Sequence, residues 1–232
     1  MKLKDFQKMT SKELLLFCLL SLCSGVMVGI AGVSSLWTIS QYGSWGRLIG
    51  AILFTFAIYV IVMFGFRLFT GMIREIPTMG VKNYWQLAVC FLCNAVGAIL
   101  VGWLSEYLII GDSLVAIGSA TIASKVYAEN WALQAFVSSA FCGVLIAISV
   151  KSVKRAPQKG VSATLGVIFP ILIFAFCGFD HSVANMLYFF YLGEFFWRII
   201  GYILLSILGN VVGGVLFTLP MLLKEKVENN ER

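Results

Sequence analysis

Long apolar runs, separated by short clusters of charge, set the pattern of this chain. A run of ~20 apolar residues is the length of a membrane-crossing helix. The pattern predicts spans at about 14–38, 47–69, 84–108, 131–151, 161–191 and 195–220. Two of them are irregular. The second ends in Arg67-Leu68-Phe69-Thr70-Gly71, just before Arg74-Glu75-Ile76-Pro77. Glycine and proline this close argue against a continuous helix. The fifth belongs to a run from Val161 to Gly193 whose only ionisable side chains, other than cysteine and tyrosine, are Asp180 and His181. It contains Pro170 and is too long for one upright helix, so a break near Gly178 is expected, with Asp180 and His181 at membrane depth. Ionisable groups there are costly and mark functional sites.

Charge orients the spans. Lys2, Lys4, Lys8, Lys12, Arg74, Lys82, Lys151, Lys154, Arg155, Lys159, Lys224, Lys226 and Arg232 fall on one side. Arg47, Lys125 and Arg198 fall on the other. The positive-inside rule then places both termini in the cytoplasm of a multi-pass protein of the cell (inner or plasma) membrane. The first run is too long for a signal-peptide core and lacks a small-residue cleavage pattern, so it reads as a retained helix.

Composition agrees: the chain is 60% hydrophobic and 12% charged, with mean hydropathy +0.93. That excludes an ordinary soluble domain. The net charge of +6 follows from topology, and no basic patch with interleaved aromatics points to nucleic acid. Cys90 and Cys93 form a Cys-x-x-Cys pair, but inside an apolar run they read as small buried hydrophobes. With one histidine, no metal site or other cofactor is expected.

A weak internal repeat joins the halves. Asn94-Ala95-Val96-Gly97 and Asn210-Val211-Val212-Gly213 lie on the third and sixth spans. Three spans per half make the two copies opposite in orientation, as in channels and transporters with a pathway at the repeat interface. The expected architecture is therefore an all-α membrane domain over 1–232. Residues 1–110 and 131–221 are the repeats, 111–130 an external loop and 222–232 a tail. Asn94, Gly97, Asn210 and Gly213 are assigned to helix packing.

Gly178-Phe179-Asp180-His181-Ser182-Val183-Ala184-Asn185-Met186 resembles the signature of the formate/nitrite transporter family, usually written with Glu at the place of Asp180. Leu68-Phe69-Thr70-Gly71 is similar to the loop interrupting that family's second helix, and the Asn94 and Asn210 segments to its third- and sixth-helix motifs. The resemblance covers the whole chain in order. It implies an aquaporin-like fold with broken second and fifth helices. It also implies a homopentamer with one pore per protomer, passing small monovalent anions or their acids such as formate, nitrite or hydrosulfide. It implies that His181 faces Thr70, with Lys125 near the pore. Constrictions would fall at Phe54 and Phe174 on one side, and at Leu68, Phe69, Ile58 and Ile146 on the other. Asp180 and Asn185 take structural roles, Asp180 at a helix end or between protomers. Three positions depart from the family pattern: Gly143 after Cys142 replaces an asparagine, Arg67 an acidic residue, and Met72 an asparagine.

The expected mechanism follows from charge. Lys125 and the broken-helix ends attract the anion, protonation near His181 neutralises it, and the neutral acid passes. A neutral-solute channel of aquaporin type would share the repeat, but no paired Asn-Pro-Ala motif is found. An obligatory proton-coupled monocarboxylate symporter would share most of the residues. An enzyme is not expected, since no nucleophile motif accompanies Asp180 and His181.

Overall fold

The computed structural model describes residues 9–155, 160–194 and 196–230. Lys2, Lys4, Lys8, Lys159 and Arg232 of the charge argument lie outside them. The helices are α1 (Ser11–Tyr42), α2 (Ser44–Phe64), α3 (Phe69–Met72), α4 (Trp85–Ser105), α5 (Gly111–Val126), α6 (Trp131–Arg155), α7 (Val161–Cys177), α8 (Ala184–Leu192) and α9 (Trp197–Asn230). Two 3-10 segments, Ile73–Thr78 and Val81–Asn83, connect α3 to α4.

Among the described residues, five helices are long and apolar enough to cross a membrane: α1, α2, α4 with its leading turn, α6 and α9. At 17 residues α7 falls short, and the crossing it begins continues through a non-helical break into α8. The second run likewise stops at Phe64 and resumes at Phe69. Both predicted breaks are present, and this is a multi-pass, all-helical membrane protein.

The two halves pack alike. α1 lies against α2 and α4, α6 against α7 and α9, and α2 meets α7 between the halves. Glycine makes the first two contacts close. A Cβ on Gly25 would lie 2.0 Å from the Asn94 carbonyl oxygen, and one on Gly143 2.3 Å from that of Asn210. A Cβ on Gly97 would meet the Leu22 carbonyl at 2.5 Å, and one on Gly213 the Ala140 carbonyl at 1.9 Å. Small residues let membrane helices approach backbone to backbone. Gly143 is thus a packing position and mirrors Gly25.

One expectation needs correction. Residues 111–130 are not a loop: most of the segment is helix α5. Its apolar stripe Leu114, Gly118, Ile122 and Val126 is buried, with helical spacing that its serines and threonines hide. α5 packs against α8 and α1. α9 runs on to Asn230, so residues 222–230 of the segment assigned to the tail are helical. A salt bridge of 3.6 Å from Lys151 on α6 to Glu225 on α9 lies on the face where α1 begins and α9 ends, the termini face.

Gly143→Val should lower stability by about 1–3 kcal/mol through overpacking against α9. A fall in the melting temperature of the purified protein in detergent is the readout. A wild-type melting temperature would contradict the close approach.

Candidate functional site

The site is assembled where the two interrupted helices meet. α2 stops at Gly65, whose φ of 69° is left-handed, and the Phe66 N–H reaches back to the Ile61 carbonyl at 2.9 Å. α7 stops in the same way at Gly178, φ 72°, and the Phe179 N–H reaches the Phe174 carbonyl at 3.0 Å. Left-handed backbone suits glycine because it lacks a Cβ. The repeated Gly-Phe pair, Gly65-Phe66 and Gly178-Phe179, was a sequence signal for this equivalence that the motif reading passed over.

Beyond each glycine the backbone is irregular and buried. Without water, its polar groups must find partners inside the protein. One asparagine serves each break. Asn94 Oδ1 accepts the Phe69 N–H at 2.8 Å, while Nδ2 donates to the carbonyls of Arg67 at 2.9 Å and Ser21 at 2.6 Å. Asn210 Oδ1 accepts the Ser182 N–H at 3.0 Å, while Nδ2 donates to the carbonyls of Asp180 at 3.0 Å and Ser139 at 2.7 Å. Only an amide supplies an acceptor and two donors from one short side chain. These asparagines therefore hold the breaks, a more specific task than helix packing.

The bonds pair residues across the repeat: Arg67 with Asp180, Leu68 with His181, and Phe69 with Ser182. The Arg67 N–H donates to the Leu20 carbonyl at 3.2 Å, and the Asp180 N–H to Ser138 Oγ at 2.9 Å. Ser138 and Ser139 escaped the sequence reading, since nothing marks them among other serines. Ser138 places a hydroxyl at the second break, where Gly143 has no side chain to offer.

His181 is buried, with Nε2 2.8 Å from Thr70 Oγ1 on α3. Its Nδ1 accepts the Ala184 N–H at 3.1 Å. A neutral ring must then carry its proton on Nε2, so Nε2–H donates to Thr70 Oγ1. The Thr70 hydroxyl keeps its own hydrogen for another acceptor. The Phe174 ring stacks on the imidazole with centroids 5.8 Å apart, and Phe54 meets Phe174 edge-on at 5.5 Å. Ile58, Leu68 and Ile146 are buried and line a cavity of ≈ 250 Å³ beside Arg67 and Arg74. Phe69 is not among its lining residues and turns its ring to Phe91 at 5.2 Å.

Asp180 points away from this chemistry. Its Oδ1 accepts Lys125 Nζ at 2.9 Å and Asn185 Nδ2 at 3.2 Å, and its Oδ2 accepts the Tyr202 hydroxyl at 3.0 Å. Lys125 also donates to the Gly178 carbonyl at 2.9 Å. α5 therefore delivers a lysine that ties down the second break and neutralises a buried carboxylate. Tyr202, a partner unmarked in the sequence, completes the cage. At the end of α5, Tyr127 donates to Glu194, and that bond raises the pKa of its phenol above the ordinary value. Among the described residues, no cluster of ligating side chains fits a metal.

The formate/nitrite transporter model matches residues 3–223. The chain belongs to the formate/nitrite transporter family. This family of transporters also sets aside the enzyme reading. Relatives include an uncharacterized transporter, YrhG, of Bacillus subtilis, 28% identical over 194 residues, covering 76% of this chain and 71% of the relative. The nitrite transporter NirC of Salmonella typhimurium is 28% identical over 220 residues, covering 87% of this chain and 80% of its own. The formate channel FocA of Haemophilus influenzae is 28% identical over 196 residues, covering 72% and 64%. In structure, the fold matches a pentameric formate channel with formate bound at TM-score 0.76 and 21% identity, covering 94% of this chain and 100% of the other. It matches an FNT family ion channel at TM-score 0.75 and 23% identity, covering 90% and 89%. Within this family member, His181 and Thr70 come together, while Asp180 and Lys125 pair with each other one residue away.

Lys125→Met should destabilise the protein by about 3–5 kcal/mol, because it strands the Asp180 carboxylate. Adding Asp180→Asn should recover much of the loss, since the amide still accepts from Asn185 or Tyr202. Thermal unfolding of both single variants and the double variant gives the coupling. Strictly additive effects would rule out the pairing as a stabilising contact.

Proposed function

We propose that this protein conducts small monovalent anions of the formate, nitrite and hydrosulfide class, or their conjugate acids, with a proton exchanged near His181. The observation that carries the reading is the buried contact of Thr70 Oγ1 with His181 Nε2, at 2.8 Å, joining the two broken helices. It lies between Phe54 and Phe174 on one side and Ile58, Leu68 and Ile146 on the other. An ion stripped of water against such walls costs tens of kcal/mol by a Born estimate, on the order of what no thermal motion supplies. A weak acid avoids that cost by crossing protonated. The Thr70 hydroxyl donates to the arriving anion while its oxygen accepts from His181 Nε2–H. A proton entering from the bulk, relayed to the anion by water held beside Thr70 or through the imidazolium formed when His181 first takes it up, leaves a neutral acid to pass Phe174 and Phe54, and His181 ends neutral as it began.

The Lys125 charge is matched by Asp180, so the lysine's role in the pathway is mainly to hold the second break open. The assembly is a homopentamer with one pathway per protomer. It lies in the cell (inner or plasma) membrane with both termini in the cytoplasm, the orientation required by the basic residues on the termini face. The pentameric formate channel that shares the fold supports this assembly.

His181→Ala, in protein that still assembles as wild type by size-exclusion chromatography, should cut formate uptake into liposomes about tenfold to a hundredfold, and it should lower the melting temperature because the Ala184 N–H loses its acceptor. The loss of uptake corresponds to about 1.5–3 kcal/mol, the worth of one hydrogen bond to a charged group, here the bond from Thr70 to the anion that Nε2–H no longer orients. The pH dependence of uptake should flatten as well. Flux equal to wild type at every pH, for formate, nitrite and hydrosulfide alike, would remove His181 from the mechanism. Equal permeability to glycerol would instead favour a neutral-solute channel.

A further inference from the structure

The two breaks are alike in backbone but opposite in charge. At equivalent positions stand Asp180 and Arg67, whose carbonyls accept from Asn210 and Asn94 in the same way. Asp180 is paired with Lys125 at 2.9 Å, so the break on the opposite face carries no net charge. Arg67 has no such partner: among the described residues, no carboxylate forms an ion pair with its guanidinium.

Arg67 lines the cavity of ≈ 250 Å³ that opens on the termini face. A water molecule's share of liquid is about 30 Å³, so the cavity has room for a small anion and its hydration. Its other charged lining groups are Arg74 and Glu75. Those two are joined, Arg74 Nη2 to Glu75 Oε1 at 3.0 Å, and Arg74 Nε is held by the Gly71 carbonyl at 3.0 Å. Burial lowers the pKa of the Arg74 guanidinium, Glu75 raises it again, and the like charge of Arg67 lowers it. The two arginines thus repel across the cavity, and the lining carries an excess positive charge. Most of the remaining wall is apolar, including Ile58, Ile61, Leu68, Met72 and Ile146. A charge facing a cavity with low-dielectric walls concentrates counter-ions.

We infer that this cavity is an anion-loading site, in which Arg67, backed by Arg74, binds a small monoanion before it reaches Leu68 and Thr70. The inference rests on the proposed anion pathway and adds sidedness to it. The termini face holds the anion, whereas the opposite face, with Lys125 already paired, does not. The chain thereby loads anions from the termini face at lower concentration than from the other. Arg67 is a binding residue at the mouth and takes no part in the proton step.

The test uses the full-length protein and compares Arg67→Gln and Arg67→Lys with wild type. Initial formate flux is measured from each face, in inside-out and right-side-out vesicles, after assembly is checked by size-exclusion chromatography. In Arg67→Gln, the half-saturating formate concentration on the termini face should rise about tenfold, the lower end of electrostatic concentration in a charged cleft. The opposite face should keep its wild-type value, and Arg67→Lys should retain most of the affinity. An unchanged value in assembled Arg67→Gln, or an equal shift on both faces, overturns the inference. If wild type carries no formate, nitrite or hydrosulfide, the transport reading fails, and bromide soaked into crystals judges the site. An anomalous peak beside Arg67 that vanishes in Arg67→Gln supports it. A missing peak, or one that persists in the variant, refutes it.

Discussion

The structure depends on one constraint: two stretches of non-helical backbone lie buried where no water can satisfy them. A lost backbone partner in such a place costs several kcal/mol. Asn94 and Asn210 meet that cost from the neighbouring helix, each with one accepted and two donated hydrogen bonds. Their reach is short, so α4 must lie close to α1, and α9 close to α6. Gly25, Gly97, Gly143 and Gly213 permit that distance, since a Cβ at any of them would strike a carbonyl oxygen. The glycine pattern and the asparagine bonds are two sides of one requirement.

With the breaks held, side chains that could not share a helix face are brought together. Thr70 and His181 are far apart in sequence, yet each is carried just past a break, and the breaks meet. His181 and Asp180, adjacent in sequence, part company because the backbone that carries them is non-helical and bound by Asn210. One turns to Thr70 and the aromatic layer. The other turns to Lys125, Asn185 and Tyr202. The same backbone frame accepts opposite charges at Arg67 and Asp180, so chemistry differs between mouths that are alike in geometry. The family shares the fold. What this chain does differently is written in the side chains at those repeat-equivalent positions.

The apolar runs, both interruptions and the inverted repeat were legible because each follows from local rules. Membrane helices need length, glycine and proline end helices, and three spans per half invert the second half. α5 was not legible as a helix, since its serines and threonines mask the stripe from Leu114 to Val126. Its amphipathic face makes sense only once α8 is there to bury it. The role of Gly143 was not legible either, because a glycine seen alone does not reveal which carbonyl lies against it.

The sequence by itself determined the spans, the places where two of them break, and the residues able to do chemistry there, since spacing and composition act locally. The tertiary structure decided the partners. It gave His181 to Thr70, Lys125 to Asp180, and left Arg67 facing an open cavity. Those pairings join residues distant in the chain, and only the docking of one half against the other brings them within hydrogen-bond reach.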